Sequence, residues 1–331
     1  MTKQFLTFIL LFTISMTSMA QKPEYEVLFH GIGDNREFTQ KYSYPQTIMG
    51  ERTSIELGTT IDSLHRFRFG LSHLFEFGTE ADQVKPKLTA YYRYNDQTNT
   101  FFFGAFPRMD LLDFPLAMLA DTFLYYRPNI EGLFGKHSWS WGHQLGFVDW
   151  TSRQTMTQRE TFMAGLSGEM RFNLFYFQNY LLLYHHALTA AENADEHISD
   201  NMGYALYLGY NFQQLTGLQK AYLKVGVLGS SIRERNVDDG YTTGTSLSGQ
   251  LYGEGKRFAL RSTFSFGEGH QLMNGDPYYA QDSYLRTDVI WKFLQYNNIQ
   301  GTFNLSFHLV DGSTLDQQQQ LSLVYRFGNA N

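Results

Sequence analysis

Two adjacent histidines, His185 and His186, stand in the segment NYLLLYHHALT and could bind a metal ion or serve an ester hydrolase. Imidazole is a common metal ligand and general base. Neighbouring residues of a strand point to opposite faces, so the pair cannot chelate one ion together. No Tyr-x-x-x-His-x-Ser-type pattern follows, and the nearest downstream hydroxyl belongs to Thr189. The pattern favours histidines that end a strand at a membrane interface.

Three tryptophans, Trp139, Trp141 and Trp150, lie in the segment WSWGHQLGFVDWTSR, which also holds Asp149 and Arg153. Aromatic side chains in a row could bind sugars near a pore mouth. Tryptophans also anchor membrane proteins at the level of the lipid headgroups. The sequence favours the second interpretation.

Acidic pairs, 238–239 and 195–196, lie in long polar connectors. Carboxylate oxygens are suitable calcium ligands, but no D-x-D-x-D-G spacing is present. Solvated loop charge is the favoured interpretation, and the sequence predicts no metal and no cofactor.

One connector is apolar, with the sequence MDLLDFPLAMLAD over residues 109–121. An exposed loop of this composition would form an unexplained hydrophobic patch. The segment could fold into the interior of the protein, pack on a neighbouring subunit or lie at a membrane surface. The sequence leaves these alternatives open.

Strict apolar–polar alternation identifies the elements that position these residues. It is clearest in the segments 65–77, 256–266, 299–310 and 319–327, where Phe and Leu alternate with Arg, Ser, Thr and Asn. Such alternation over eight or more residues predicts strands. Counting similar segments, including one at 121–134, predicts about sixteen strands, in a range of 14–18.

Strand length and composition favour a membrane barrel over a secreted β-sandwich or β-helix. The strands run to about ten residues, which matches a tilted crossing of a bilayer. Aromatic residues make up 17% of the chain, and one strand face carries Arg, Glu, Gln and Asn. Burying such charges in a dry core would be unfavourable, whereas a water-filled lumen avoids this. We therefore predict an all-β fold, a transmembrane antiparallel β-barrel.

The N-terminal segment MTKQFLTFILLFTISMTSMA has the features of a secretory signal peptide. Lys3 precedes a short apolar core, and Ser18-Met19-Ala20 fits a cleavage site. The predicted organisation is a signal peptide at 1–20 and an outer-membrane barrel at 21–331. The chain has no cysteine and a net charge of −6, which gives no reason to expect a nucleic-acid partner.

The chain resembles Gram-negative outer-membrane porin-like β-barrel proteins. The resemblance rests on FFFGAFPRMD (101–110), YYRPNIEGL (125–133) and the aromatic-terminated strand LSLVYRF (321–327), although Gly328 to Asn331 follow that last Phe. It implies export to the outer membrane, contact with outer-membrane lipid and recognition by the barrel assembly machinery. It leaves the oligomeric state open.

A sixteen-stranded barrel encloses an aqueous lumen, so we expect a channel for passive diffusion of small hydrophilic solutes. The alternatives are a barrel scaffold for surface or partner interaction and an outer-membrane lipase-like enzyme. No Ser/His/acid constellation is legible, so the sequence predicts that the chain is not an enzyme and has no catalytic residue.

Strand phase predicts the pore-lining residues. An Arg or Lys at the lipid midplane costs about 2–4 kcal/mol, so such side chains should face the lumen. Nine basic and three acidic residues share the polar faces of the clearest strands, and this excess predicts a preference for anionic solutes. The predicted lining comprises Arg66, Arg68, Arg93, Arg171, Arg257, Arg261, Arg286, Lys292, Arg326, Glu76, Glu169 and Asp288.

Overall fold

Alternating side chains organise the chain into strands throughout the computed structural model, which describes residues 22–39, 41–80, 85–191 and 195–329. Sixteen strands are formed, as predicted. They are β1 (Lys22–Glu37), β2 (Gln46–Ile61), β3 (His65–Glu76), β4 (Lys87–Asn95), β5 (Asn99–Pro107), β6 (Asn129–Trp139), β7 (Gly142–Ser152), β8 (Thr161–Phe172), β9 (Phe175–His186), β10 (Ser199–Asn211), β11 (Lys220–Glu234), β12 (Thr242–Glu254), β13 (Phe258–Gly267), β14 (Ser283–Tyr296), β15 (Ile299–Val310) and β16 (Thr314–Gly328).

The sheet closes on itself. Each strand pairs antiparallel with its neighbours in sequence, and β1 pairs with β16 in a register that places Phe29 opposite Tyr325. Closure satisfies the backbone N–H and C=O groups that an open edge would leave unpaired, which a bilayer does not allow. The predicted all-β transmembrane antiparallel barrel is therefore confirmed.

The two faces of the sheet differ as the alternation requires. On β3, Phe69 is 64% exposed on the outer face, whereas its neighbour Arg68 is 7% exposed on the inner face. The outer face elsewhere also carries exposed Leu and Phe side chains. Exposing this much apolar surface to water would cost a large amount of free energy. The outer face is therefore stable in contact with lipid.

Connector length distinguishes the two ends of the barrel. Tight turns such as 62–64, 140–141 and 173–174 lie at one end, together with the start of β1 and the end of β16. Most of the longer connectors lie at the other end. Outer-membrane barrels have short periplasmic turns and long extracellular loops, and this pattern orients the chain.

The segment predicted as a strand at 121–134 is instead divided. Residues Asp121–Tyr126 form a short helix, α1, and β6 begins only at Asn129. Pro128 has no N–H to donate to a ladder, so the strand cannot extend through it. Two other short helical segments lie at Gln213–Thr216 (α2) and Pro277–Ala280 (a 3-10 helix).

The β5–β6 connector, residues 108–128, folds into the barrel, and we call it the inward loop. Its Phe114 ring packs against Phe147 and Tyr180 of the wall, at centroid distances of 5.8 and 5.7 Å. Met118 is fully buried. Of the alternatives that the apolar sequence left open, the inward fold is the one observed, because it removes this apolar surface from water.

The β13–β14 connector, residues 268–282, forms a second inward loop and packs on the first. The amide N–H of Ala120 donates to the carbonyl of Asn274 at 2.7 Å, and that of Asp276 donates to Leu116 at 2.8 Å. The hydroxyl of Tyr278 donates to Asp316 on the wall at 2.6 Å. Together the two loops fill the extracellular half of the lumen.

The predicted signal peptide, residues 1–20, lies outside the described residues, and its assignment stays a prediction. No helix in the part of the chain that the structure describes has the length and apolar character needed to cross a bilayer.

Candidate functional sites

Two cavities of the periplasmic half of the lumen lie one on each side of the inward loop. The larger cavity, about 790 Å³, is lined by that loop and strands β8–β13. The smaller cavity, about 520 Å³, is lined by the loop, strands β1–β6 and Arg326 of β16. Residues of the periplasmic turn at 173–174 also line the larger cavity, which places it near that end of the barrel.

Three predicted residues, Arg68, Arg93 and Arg326, line the smaller cavity, and Arg66 lies outside its lining. Arg68 lies 3.2–3.4 Å from the carboxylates of Glu24, Glu26 and Glu56. Arg66 pairs with Glu24 at 3.8 Å. Arg93 forms no ion pair among the described residues, and its guanidinium lies over the Phe102 ring at 5.3 Å.

A second group of predicted residues lies beneath the second inward loop. Arg286 is 2% exposed and contacts Asp288 at 2.8 Å. It also reaches Asp276 and Asp121 of the two inward loops at 3.6 and 3.7 Å. Arg261 donates to the other oxygen of Asp288 at 2.7 Å. These pairs join the barrel wall to both inward loops.

Of the remaining predicted residues, Arg171 and Glu169 line the larger cavity. Arg171 pairs with Glu169 at 2.6 Å, and Arg326 pairs with Asp110 of the inward loop at 2.6 Å. Lys292 pairs with Glu254. The last two lie at opposite ends of the barrel. Arg257 is exposed in the turn 255–257, and Glu76 is the last residue of β3.

The structure adds acidic groups that strand phase had not included. Glu24, Glu26 and Glu56 alternate along β1 and β2 with the same period and could have been found by that signal. The others come from β12 or from loops, whose position the sequence does not reveal. Within ion-pair distance of the predicted basic residues lie seven further carboxylates, Glu24, Glu26, Glu56, Asp110, Asp121, Glu254 and Asp276. Basic residues outside the predicted set also line the cavities, among them Arg52, Lys136 and Lys224. The expected anion preference therefore stays a prediction.

The adjacent histidines point to opposite sides of the wall, as strand geometry requires. His186 shares the inward phase of Tyr180, whereas His185 points outward at the extracellular end of β9. The His185 Nδ1 atom lies 2.9 Å from Asp200 Oδ1, and the Arg235 guanidinium donates to the same carboxylate at 2.7 Å. This hydrogen bond raises the pKa of Arg235.

Aromatic and basic residues surround this His185–Asp200 pair. The Phe162 ring lies 5.1 Å from the His185 ring and stacks on Trp150 at 5.2 Å. Arg233, two residues before Arg235, lies over the Tyr241 ring at 5.6 Å. The pair therefore lies on the outer face of the barrel, at its extracellular end.

The chemistry available at this position is proton transfer. A carboxylate that accepts from one ring nitrogen of a histidine orients the ring and leaves the other nitrogen free to take a proton. Among the described residues no group of three or more His, Asp or Glu side chains is placed to hold a metal ion.

Comparison with known proteins adds a family and a fold. A family profile described as "Lipid A 3'-O-deacylase-type" matches residues 21–330. A comparison with curated protein sequences finds no match.

Solved structures share the architecture at low sequence identity. OmpT of Vibrio cholerae lacking loop L8 is 9% identical, with a TM-score of 0.58, covering 93% of this chain and 100% of that one. OccK9 (OpdG) of Pseudomonas aeruginosa is 11% identical, with a TM-score of 0.53, covering 93% and 98%. OprB of Pseudomonas putida is 9% identical, with a TM-score of 0.53, covering 93% and 94%. The fold is thus that of outer-membrane porin-like barrels, which confirms the resemblance.

The prediction that the chain is not an enzyme is wrong, because the matching family is one of deacylases. The search for a Ser/His/acid constellation had no means of finding a histidine and an aspartate that lie on different strands.

Proposed function

Because the chain belongs to the Lipid A 3'-O-deacylase-type family, we propose that it hydrolyses an ester bond between a fatty acyl chain and a lipid of the outer leaflet. The observation that carries the proposal is the contact of 2.9 Å between His185 and Asp200 on the outer face of the barrel. A lipid in the outer leaflet presents its acyl esters at that depth.

His185 acts in this proposal as a general base. Its Nε2 atom takes a proton from water, and the resulting hydroxide attacks the ester carbonyl carbon. The tetrahedral intermediate then loses the alkoxide, which takes the proton back from His185. One water is consumed, and a fatty acid and a lipid alcohol are released. Asp200 holds the ring and stabilises the imidazolium that forms.

The arginines supply positive charge beside the reacting atoms. Arg235 is 50% exposed on its side chain while bound to Asp200, so part of its guanidinium is available to a ligand. Arg233 Nε is buried and has no hydrogen-bond partner among the described residues. Guanidinium groups bind phosphate and developing oxyanions well, which suits a phosphorylated lipid.

The test uses the full chain in vesicles that contain lipid A, with released fatty acid measured by mass spectrometry. His185→Ala should lower the rate by about 10²–10⁴-fold, as expected for loss of a general base. His186→Ala is the matched control, since this neighbour points into the lumen, and it should retain activity. Equal rates for the two variants, or no release by the unmodified chain, would contradict the proposal.

A second candidate is a porin-like channel for passive diffusion of small hydrophilic solutes. The two cavities in the periplasmic half favour it, because the two inward loops are what separates them from the extracellular side. Conductance in a planar bilayer, without any other component, is the measurement that tests it. The absence of any conductance at saturating protein would contradict a channel function.

Residues 1–20 are proposed to direct export to the outer membrane. Purified protein from an outer-membrane fraction should begin at Gln21 and migrate differently before and after heating. Recovery from the periplasm or medium would contradict the proposed location.

A further inference from the structure

Lys224 of β11 points into the larger cavity without a carboxylate partner. Among the described residues its ammonium group forms no ion pair, and its nearest polar contact is Gln178 Oε1 at 3.1 Å. The rings of Tyr207 and Tyr180 lie 5.0 and 5.9 Å from Nζ. Strand phase did not predict Lys224 as a lining residue, because β11 is not among the most clearly alternating strands.

The guanidinium groups that line the same cavity are already neutralised. Arg261 is bound to Asp288, and Arg171 is bound to Glu169. A largely buried ammonium that lacks such a partner is unfavourable unless water or a ligand anion compensates it. Asp113 and Glu169 act on Lys224 from beyond ion-pair distance. Lys224 therefore keeps an ammonium group that can pair directly with a ligand anion.

The walls around Lys224 suit a polyhydroxylated molecule. Tyr180, Tyr207 and Tyr222 present aromatic surface, against which the apolar face of a sugar ring can pack. The Gln250 side chain, held by the Tyr222 hydroxyl at 2.9 Å, offers amide groups to sugar hydroxyls. Asp113 of the inward loop lines the cavity and forms no ion pair among the described residues, so it can accept from a hydroxyl.

We propose that the larger cavity binds a small anionic saccharide, with its carboxylate or phosphate on Lys224. The cavity volume of about 790 Å³ lies in the range of small-molecule sites and exceeds a monosaccharide. Phe114 and Leu119 of the inward loop line it, and the periplasmic turn at 173–174 lies beside its entrance. The site is separate from His185, so it goes beyond the proposed hydrolase.

The experiment measures binding to the full-length barrel in detergent by calorimetry. The probes are glucuronate, glucose 6-phosphate and neutral glucose. Either anion should bind at least about tenfold more tightly than glucose, and comparing the two identifies the anionic group. Affinity for the anion should fall between about 0.05 and 0.5 M salt, since screening weakens the contact with Lys224.

Two lysine variants locate the site. Lys224→Met should weaken binding of the anion about tenfold or more, whereas Lys224→Arg, which keeps the charge, should retain it. Lys136→Met is the matched control, because Lys136 lines the smaller cavity. Equal affinity for glucuronate and glucose, salt-independent binding or an unchanged affinity in a folded Lys224→Met variant would overturn the proposal. These results do not depend on ester hydrolysis, so either proposal can fail alone.

Discussion

The extracellular and periplasmic halves of the lumen share one wall but differ in what fills them. In the extracellular half, Tyr278, Tyr284 and Met118 have no more than 1% of their surface exposed, as in the core of a soluble protein. In the periplasmic half, Arg171 keeps 67% of its side chain exposed beside an open cavity. The same alternation of side chains thus supports a packed core at one end and a wet interior at the other.

The two halves also differ in whether a buried cation has carboxylate partners. Where the two inward loops exclude water, Arg286 is surrounded by Asp121, Asp276 and Asp288. A buried charge without partners would cost several kcal/mol, so the loops must bring carboxylates with them. Where water enters, Lys224 is left without a carboxylate, which a dry core would not tolerate.

The largest effect should come from removing the central charge of the packed half. Arg286→Met leaves the fully buried Asp288 with one partner fewer and should lower the free energy of unfolding by about 3–5 kcal/mol. Arg66→Met, in the wet half, removes a longer ion pair and should cost less than about 1 kcal/mol. Urea titration in lipid vesicles measures both, and similar losses would show that the halves do not differ.

A smaller effect is expected from removing the inward loop. Deleting residues 109–121 should join the two cavities and raise single-channel conductance severalfold, because the cross-section available to water grows. The barrel should still fold, since all sixteen strands remain, and unchanged heat-modifiable migration checks this. An unchanged conductance in the folded deletion variant would show that the second inward loop alone closes the lumen.

The smallest effect concerns pH. Burial raises the pKa of Asp276 to about 6, against the opposing effect of Arg286. Arg36 and Asp121 also face this carboxyl. Between about pH 4 and 6, Asp276 is protonated in the packed loop but would be ionised in a released, solvated loop. Acidification therefore stabilises the packed loop, and raising the pH towards 6 destabilises it.

Protease cleavage within 268–282 measures this dependence. Cleavage should be slower at about pH 5 than at about pH 7.5 in the unmodified chain, after correction for the protease's own pH profile. Asp276→Asn should remove the difference, because the amide does not titrate. A pH dependence that survives in this variant would assign it to another group.

Much of the barrel was predictable because a strand in a bilayer has little freedom. Phe67, Phe69 and Leu71 alternate with Arg66, Arg68 and Ser72, and only one phase places the apolar side chains against lipid. The same logic predicted that His185 and His186 would point to opposite sides. It could not predict α1 at Asp121–Tyr126, because a six-residue segment is too short for periodicity to distinguish a helix from a strand.

The candidate sites were less predictable, because each is assembled across strands. Asp200 lies opposite His185 through the register of β9 and β10, and no spacing in the sequence reports that register. Glu254 and Asp121 are far in sequence from the lysines and arginines that they contact. A count of charges on the clearest strands therefore missed acidic and basic groups of the lumen alike.

The sequence by itself determined the closed sixteen-stranded barrel and the side of the sheet that each alternating residue faces, because lipid on one side and water on the other act on every strand locally. Only the tertiary structure decided which half of the lumen is packed and which half keeps open cavities. The inward loop could have packed outside the barrel with the same composition. Its contacts with Phe147, Tyr180 and the second inward loop place it inside, because there it buries apolar surface and satisfies its backbone hydrogen bonds together.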